Sequence, residues 1–145
     1  MNPTSPLGQG PPSGALPRPW IILVVDDERD IVNSFQKVLE KFIPGVKVIT
    51  AISGREGLET LERERIDLIM ADFKMPGMDG IEFLVQARHM RPLIPRVMFT
   101  AFSNDELARR AMTEALVEAF VSKSVDPAEM VDKVKALLRY EPAPH

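Results

Sequence analysis

Five polar residues stand where apolar runs of this chain stop. Asp26-Asp27 follow "WIILVV", Asp72 ends "IDLIMAD", Thr100 lies at the end of "RVMFTA" and Lys123 closes "EAFVSK". Three carboxylates brought to one place repel one another and raise one another's pKa unless a cation holds them ionised. Magnesium suits such a place, since it is a hard cation that takes one or two carboxylates, several waters and phosphate oxygens. A carboxylate beside Mg²⁺ can act as a nucleophile, and aspartyl phosphates are known covalent intermediates. Phosphoryl transfer needs in-line positioning and neutralisation of the equatorial oxygens, which one Mg²⁺ (or Mn²⁺), one ammonium and one hydroxyl supply.

Each residue taken singly has an ordinary role. Asp26 and Asp27 can begin a helix, Asp72 can make an Asx turn into "KMPG", Thr100 suits a strand, and Lys123 can be solvated. His89 lies mid-helix among polar neighbours and His145 in a tail, neither with a partner that suggests metal binding or base catalysis. The joint occurrence carries the chemistry, provided the fold brings the five together.

The elements that must do so alternate. "WIILVV" (20–25) reads as a strand buried on both faces. Ile31, Val32, Phe35, Val38, Leu39 and Phe42 recur at helical spacing until Pro44-Gly45. "VKVITA" (46–51) is a second strand, and the Ser53-x-x-Glu56 capping box opens a second helix through about Arg65. "IDLIMAD" (66–72) is the third strand, with Ile81, Leu84 and Val85 marking a helix after Asp79-Gly80. "RVMFTA" (96–101) is the fourth strand. Ser103-x-x-Glu106 opens a fourth helix with Ala108, Met112 and Ala115 as its stripe. "EAFVSK" (118–123) is the fifth strand. Asp126 then caps a last helix, with Pro127 at its first position, Glu129 placed to complete a box, and Met130, Val134, Leu137 and Leu138 buried. Five strands alternating with five helices predict an α/β fold, a doubly wound parallel sheet covered on both faces by right-handed crossovers. In such sheets the active crevice lies outside the carboxyl ends of the strands, where the five polar residues fall.

Composition bounds the function. The chain has 145 residues, 45% hydrophobic and 27% charged, an ordinary globular balance for one domain. Its net charge of −3 argues against direct nucleic-acid binding, and no apolar run approaches a membrane span, so the reading is a cytoplasmic protein with no membrane partner. The absence of cysteine excludes disulfides and thiolate chemistry. Neither a G-x-x-x-x-G-K-[ST] loop nor G-x-G-x-x-G is present, which argues against a nucleotide-phosphate cradle. Residues 1–19 hold six of the 13 prolines, three of the eight glycines and one charge, and predict a flexible tail. The expected organisation is a tail over 1–19, a domain over 20–140 and a tail or linker start over 141–145.

"ILVVDDE", "DLIMADFKMPGMDG", "RVMFTA" and "FVSK", in this order and at these separations, resemble the receiver domain of two-component response regulators, over roughly residues 20–140. The resemblance implies the flavodoxin-like strand order 2-1-3-4-5. It implies Asp72 as phosphoacceptor, Asp27 as a direct magnesium ligand, Asp26 as an acid holding the metal through water, and the Lys74 backbone carbonyl as a further ligand. Thr100, with Ala101 beside it, matches the phosphate-binding hydroxyl position. Lys123 matches the lysine that pairs with the phosphoryl group, and Phe120 the aromatic switch that turns inward as Thr100 moves. The implied donor is a histidine kinase or histidine phosphotransfer protein. The implied output is a partner or output domain controlled by the face of the fourth helix, fifth strand and fifth helix, a face that also admits dimerisation.

Two departures stand out. The family usually has proline after the lysine, with a cis bond between them, whereas here Ser124 follows Lys123. A cis bond to a non-proline residue costs about 2.5–4 kcal/mol, which predicts a trans bond and a rerouted loop. The family often has glycine where Leu116 falls, so an unusual connection into the fifth strand is expected. Three other readings are weighed beside the switch. They are an interaction module with weakened phosphorylation, the regulatory fragment of a longer chain, and a Mg²⁺-dependent phosphatase of the haloacid dehalogenase type. "DDERD" lacks the D-x-D of that last class, because Glu28 stands two after Asp26.

Overall fold

The computed structural model describes residues 19–101 and 104–140. The expected N-terminal tail (Pro19 apart), Phe102, Ser103 and residues 141–145 lie outside it. Among the described residues five strands and five helices alternate. They are β1 (Trp20–Val25), α1 (Arg29–Phe42), β2 (Val46–Ala51), α2 (Gly54–Arg63), β3 (Leu68–Asp72), α3 (Gly80–Met90), β4 (Arg96–Thr100), α4 (Asp105–Glu114), β5 (Ala119–Ser122) and α5 (Pro127–Leu138). All pairings are parallel and the sheet order is β2-β1-β3-β4-β5. Among the described residues no helix is long and apolar enough to cross a membrane.

Side chains of a strand point alternately to its two faces, so each central strand feeds two cores. Leu23, Val25, Ile69 and Ala71 pack under α2, α3 and α4 with Leu61, Phe83, Leu84 and Leu107. Ile22, Val24, Leu68 and Met70 pack under α1 and α5 with Val32, Leu39, Met130 and Val134. This two-sided burial is why the strands read as continuous apolar runs instead of alternating ones.

Several local expectations are corrected. Arg65 lies beyond α2, and its guanidinium pairs with Asp67 and donates to the Pro19 carbonyl. Ile66 and Asp67 precede β3, because the Asp67 carboxylate accepts the Ile21 N–H at 2.8 Å as a side chain. β5 is shorter than 118–123 by one residue at each end, and β4 stops at Thr100. Phe42 is half exposed and Ile43 is buried in its place. The helix ends at Phe42, and the extended backbone of Ile43 turns that residue inward. In α4 the cap is Asn104, whose side chain accepts the Leu107 N–H at 2.7 Å. The buried line is therefore Leu107, Ala111 and Ala115, while Met112 is half exposed. Ser53 accepts the Glu56 N–H as the capping box requires, but the Glu56 carboxylate takes the N–H of Ile52 instead of Ser53. Asp126 bonds Ala128 N–H, without a box to Glu129. The reciprocal box occurs at α3, between Asp79 and Glu82. In α5, Val131 is buried and Leu137 only partly.

The α4–β5 connection keeps a left-handed residue where the lack of glycine predicts disturbance. Leu116 adopts φ +50°, the left-handed region that favours glycine. What holds it there is Arg96, buried at the start of β4. Its guanidinium donates to the carbonyls of Ala115 (3.1 Å), Leu116 (3.1 Å) and Ile94 (2.9 Å). Its own backbone N–H donates to Glu118 at 2.7 Å. A single buried side chain thus takes up the carbonyls that the end of α4 leaves without helical partners.

Candidate functional site

Parallel pairing in register carries the ends of β1, β3, β4 and β5 to one edge. Val25 lies opposite Ala71, Asp72 opposite Phe99, and Thr100 opposite Ser122. The next residue of each strand or its connecting loop therefore faces the same crevice. Asp26 leaves the sheet with its N–H still donated to Ala51 of β2 at 3.0 Å. Beyond Asp72 the chain turns at Gly77 (φ +81°) and returns so closely that the Gly80 N–H donates to the Phe73 carbonyl at 2.7 Å. A Cβ at Gly80 would strike the Asp72 carbonyl, lying 2.8 Å from its carbon. Only glycine lets α3 start directly against the residue that ends β3.

The result is a cleft of about 430 Å³ lined by Asp27, Glu28, Asp72, Lys74, Met75, Pro76, Thr100, Ala101 and Lys123. Asp26 and Thr100 are fully buried and Asp72 nearly so, while Asp27 is exposed. Asp26, Asp27 and Asp72 each offer a carboxylate oxygen, and these lie within 4.8 Å of one another. An all-oxygen set of this kind fits a hard divalent cation such as Mg²⁺ or Mn²⁺.

Lys123 reaches into the cluster from the end of β5. Its Nζ lies 2.8 Å from Asp26 Oδ2, 2.9 Å from Glu28 Oε1 and 3.3 Å from Asp72 Oδ2. Its stem passes Phe99, with Nζ 5.8 Å from that ring. Burial pushes Asp26 up to about 6, with the Asp72 charge adding to it and Lys123 and the Glu28 N–H opposing it. Burial likewise raises Asp72, against Lys123. Burial lowers the Lys123 ammonium, yet its hydrogen bonds to Asp26 and Glu28 and the charge of Asp72 leave it above its usual value. The site thus concentrates negative charge that one ammonium only partly balances, and an added cation would complete it.

Seven of the eight residues singled out in the sequence meet at this end of the sheet: Asp26, Asp27, Asp72, Lys74, Thr100, Ala101 and Lys123. The eighth, Phe120, lies two residues inside, opposite Met98 and partly buried against the core under α4. The Lys123–Ser124 bond is trans, as the cost of the alternative predicts. Glu28 was missed as a site residue. The signal was present in "DDE", but a third consecutive acid reads as the start of a helix until its partner ninety-five positions away is placed.

Residues 22–135 match the family model of the response regulator receiver domain, and the chain belongs to that family. It is similar to the alkaline phosphatase synthesis transcriptional regulatory protein PhoP of Bacillus subtilis (strain 168), at 40% identity over 118 residues, 81% of this chain and 48% of that protein. It is also similar to the cyclic di-GMP phosphodiesterase response regulator RpfG of Xanthomonas campestris pv. campestris (strain 8004). There the identity is 35% over 123 residues, 81% of this chain and 32% of that protein. The chain therefore spans about half the length, or less, of these relatives. Among solved structures it resembles the CheY-like receiver domain protein from Methanospirillum hungatei JF-1. That likeness has a TM-score of 0.78 and 31% identity, covering 83% of this chain and 94% of the other. Receiver domains of response regulators are signalling switches, not metabolic enzymes.

Proposed function

We propose that this receiver domain accepts a phosphoryl group on Asp72 from a phosphohistidine of a histidine kinase or phosphotransfer protein. The observation that supports this most is the Lys123 ammonium, 3.3 Å from Asp72 Oδ2 in a cleft shared with Thr100 and Asp27, with Asp26 buried beside it. An Asp72 carboxylate oxygen attacks the phosphorus in line and forms the new P–O bond. The P–N bond of the donor breaks, and its imidazole leaves with the bonding electrons. Lys123 meets the negative charge on one phosphoryl oxygen, and the Thr100 hydroxyl would hydrogen-bond another. Asp26, Asp27, Asp72 and the Lys74 carbonyl are the residues that would hold Mg²⁺, which when bound neutralises phosphoryl charge.

Gaining a dianion at Asp72 favours a state in which Thr100 moves towards the phosphate and Phe120 follows it into the core. This shifts the face of α4, β5 and α5 that would control an output domain or partner. Relatives named as a transcriptional regulator and as a phosphodiesterase response regulator show that outputs differ within the family.

The test is incubation with acetyl phosphate and Mg²⁺, read by intact mass and by acid-stable, base-labile phosphate. One adduct per chain is expected, lost in Asp72→Ala. No adduct on the wild type, or one that persists in Asp72→Ala, would sink the reading.

A further inference from the structure

We propose that Ser122 is a positioning residue that aims Lys123, in place of the proline that usually follows this lysine in the family. The inference rests on the phosphate-pairing role of Lys123 proposed above and concerns what holds that side chain on target.

Lys123 occupies the second position of a turn closed by the Val125 N–H donating to the Ser122 carbonyl at 3.0 Å. On its N-terminal side, the Lys123 N–H donates to the Thr100 carbonyl at 3.0 Å, which ties it to the last residue of β4. On its C-terminal side a proline would have a fixed φ and no N–H to satisfy. Serine has a freer φ and a donor that needs a partner.

The partner is Ser122. Its Oγ accepts the Ser124 N–H at 3.2 Å, and the two hydroxyls lie 2.8 Å apart. A serine that takes the N–H two residues on is a recognised way of holding a turn. Here the residue enclosed between the two serines is the lysine of the site. Both peptide groups flanking Lys123 are thereby anchored, one to β4 and one to Ser122.

Anchoring matters because the ammonium stands at the end of a flexible four-carbon stem. Lys123 Nζ nonetheless reaches carboxylates from two other segments, 2.8 Å from Asp26, 2.9 Å from Glu28 and 3.3 Å from Asp72. A small displacement of the turn would be carried along the stem to Nζ, and misplacement by about 1 Å is enough to cost phosphoryl capture heavily. The backbone of the three aspartates belongs to the ends of β1 and β3, neither of which pairs with β5. Loosening the turn should therefore leave the cation's own ligands in place, and relaxing the Lys123 ammonium's hold on Asp26 and Asp72 should not lower Mg²⁺ affinity.

The full chain serves for the test, as wild type, Ser122→Ala, Ser122→Thr and Ser124→Ala. Mg²⁺ affinity is titrated first; beryllofluoride affinity at saturating Mg²⁺ and the initial rate of Asp72 phosphorylation by acetyl phosphate follow. Ser122→Ala loses both hydrogen bonds and should weaken beryllofluoride binding and slow phosphorylation about fivefold, the effect of a net hydrogen bond or so. Its Mg²⁺ affinity should not fall below the wild-type value. Ser124→Ala keeps the N–H and should show a smaller loss, and Ser122→Thr should restore both readouts. Unchanged beryllofluoride affinity and rate in Ser122→Ala overturn the inference while leaving the Asp72 reading intact. A loss of Mg²⁺ affinity by the same factor also overturns it, since that reports general damage to the site. Absence of any adduct on the wild type overturns the reading and the inference together.

Discussion

Lys123 is the residue on which the electrostatics of the site turn. It stands among three carboxylates, of which Asp26 and Asp72 are buried and Glu28 is largely exposed. In the proposed cycle it would compete with a divalent cation for the same oxygens before phosphorylation and pair with the phosphoryl group afterwards. Replacing it has opposite effects on the two. Lys123→Met should raise Mg²⁺ affinity, because it removes the competing cation. It should also slow phosphorylation by acetyl phosphate about 100-fold, the order of loss when one charge-stabilising donor is removed from a preorganised site. Parallel Mg²⁺ titrations and initial rates check both signs, and a fall in both would mean that Lys123 mainly holds the aspartates in place. Glu28 shows the limit of reading residues in isolation. It is the N-cap residue of α1 but makes no side-chain cap, and its carboxylate is spent across the cleft on Lys123.

At the scale of elements, the connection from α4 to β5 carries a strained backbone position. Leu116 holds a left-handed backbone that costs a non-glycine residue roughly 1–2 kcal/mol. Arg96 keeps it there by binding the Ala115 and Leu116 carbonyls from inside the fold. Burial lowers the basicity of this guanidinium, with Glu118 opposing. Two substitutions at one junction should therefore move stability in opposite directions. Leu116→Gly should stabilise by about 0.5–1 kcal/mol, since relief of strain outweighs the added freedom of the unfolded chain. Arg96→Met should destabilise by about 2–4 kcal/mol, because several buried carbonyls lose their donor. Urea denaturation of the two variants measures this. Destabilisation by Leu116→Gly would show that its half-exposed side chain contributes more than its backbone costs.

For the whole molecule, the crowding of carboxylates at one sheet edge is a cost that a cation can reverse. Asp26 titrates at about 6 in the folded chain against 3.8 ordinarily. Between those values the folded state binds more protons than the unfolded one. The contribution of Asp26 to metal-free stability is therefore fully present below pH 3.8 and lost as pH rises through about 6. Mg²⁺ requires the ionised form, so the increase in Tm that it causes should grow from pH 4 to pH 7. At pH 7 and a concentration 100-fold above Kd the stabilisation should be about 2.7 kcal/mol, removed by a chelator and strongly reduced in Asp27→Asn. A Tm gain independent of pH would show that the cation binds elsewhere.

What the amino-acid sequence determined by itself was the alternation of elements, the parallel doubly wound sheet and the gathering of five polar residues at its carboxyl edge. Short apolar runs such as "WIILVV" and "LIMA", bounded by turn signals and alternating with amphipathic stretches, read as strands covered on both sides, and acids at their ends stand out against that background. Local phase and long-range pairing were decided in three dimensions. Whether Ala111 or Met112 faces the core depends on which of two adjacent polar residues caps α4, a difference too small to read from spacing. The partnership of Glu28 with Lys123, the Arg96 brace under Leu116 and the Ser122 hold on the Lys123 turn have a common physical reason for being invisible. Each is a short-range polar contact that forms only after the sheet has set the register of its strands, and a linear pattern carries burial but not register.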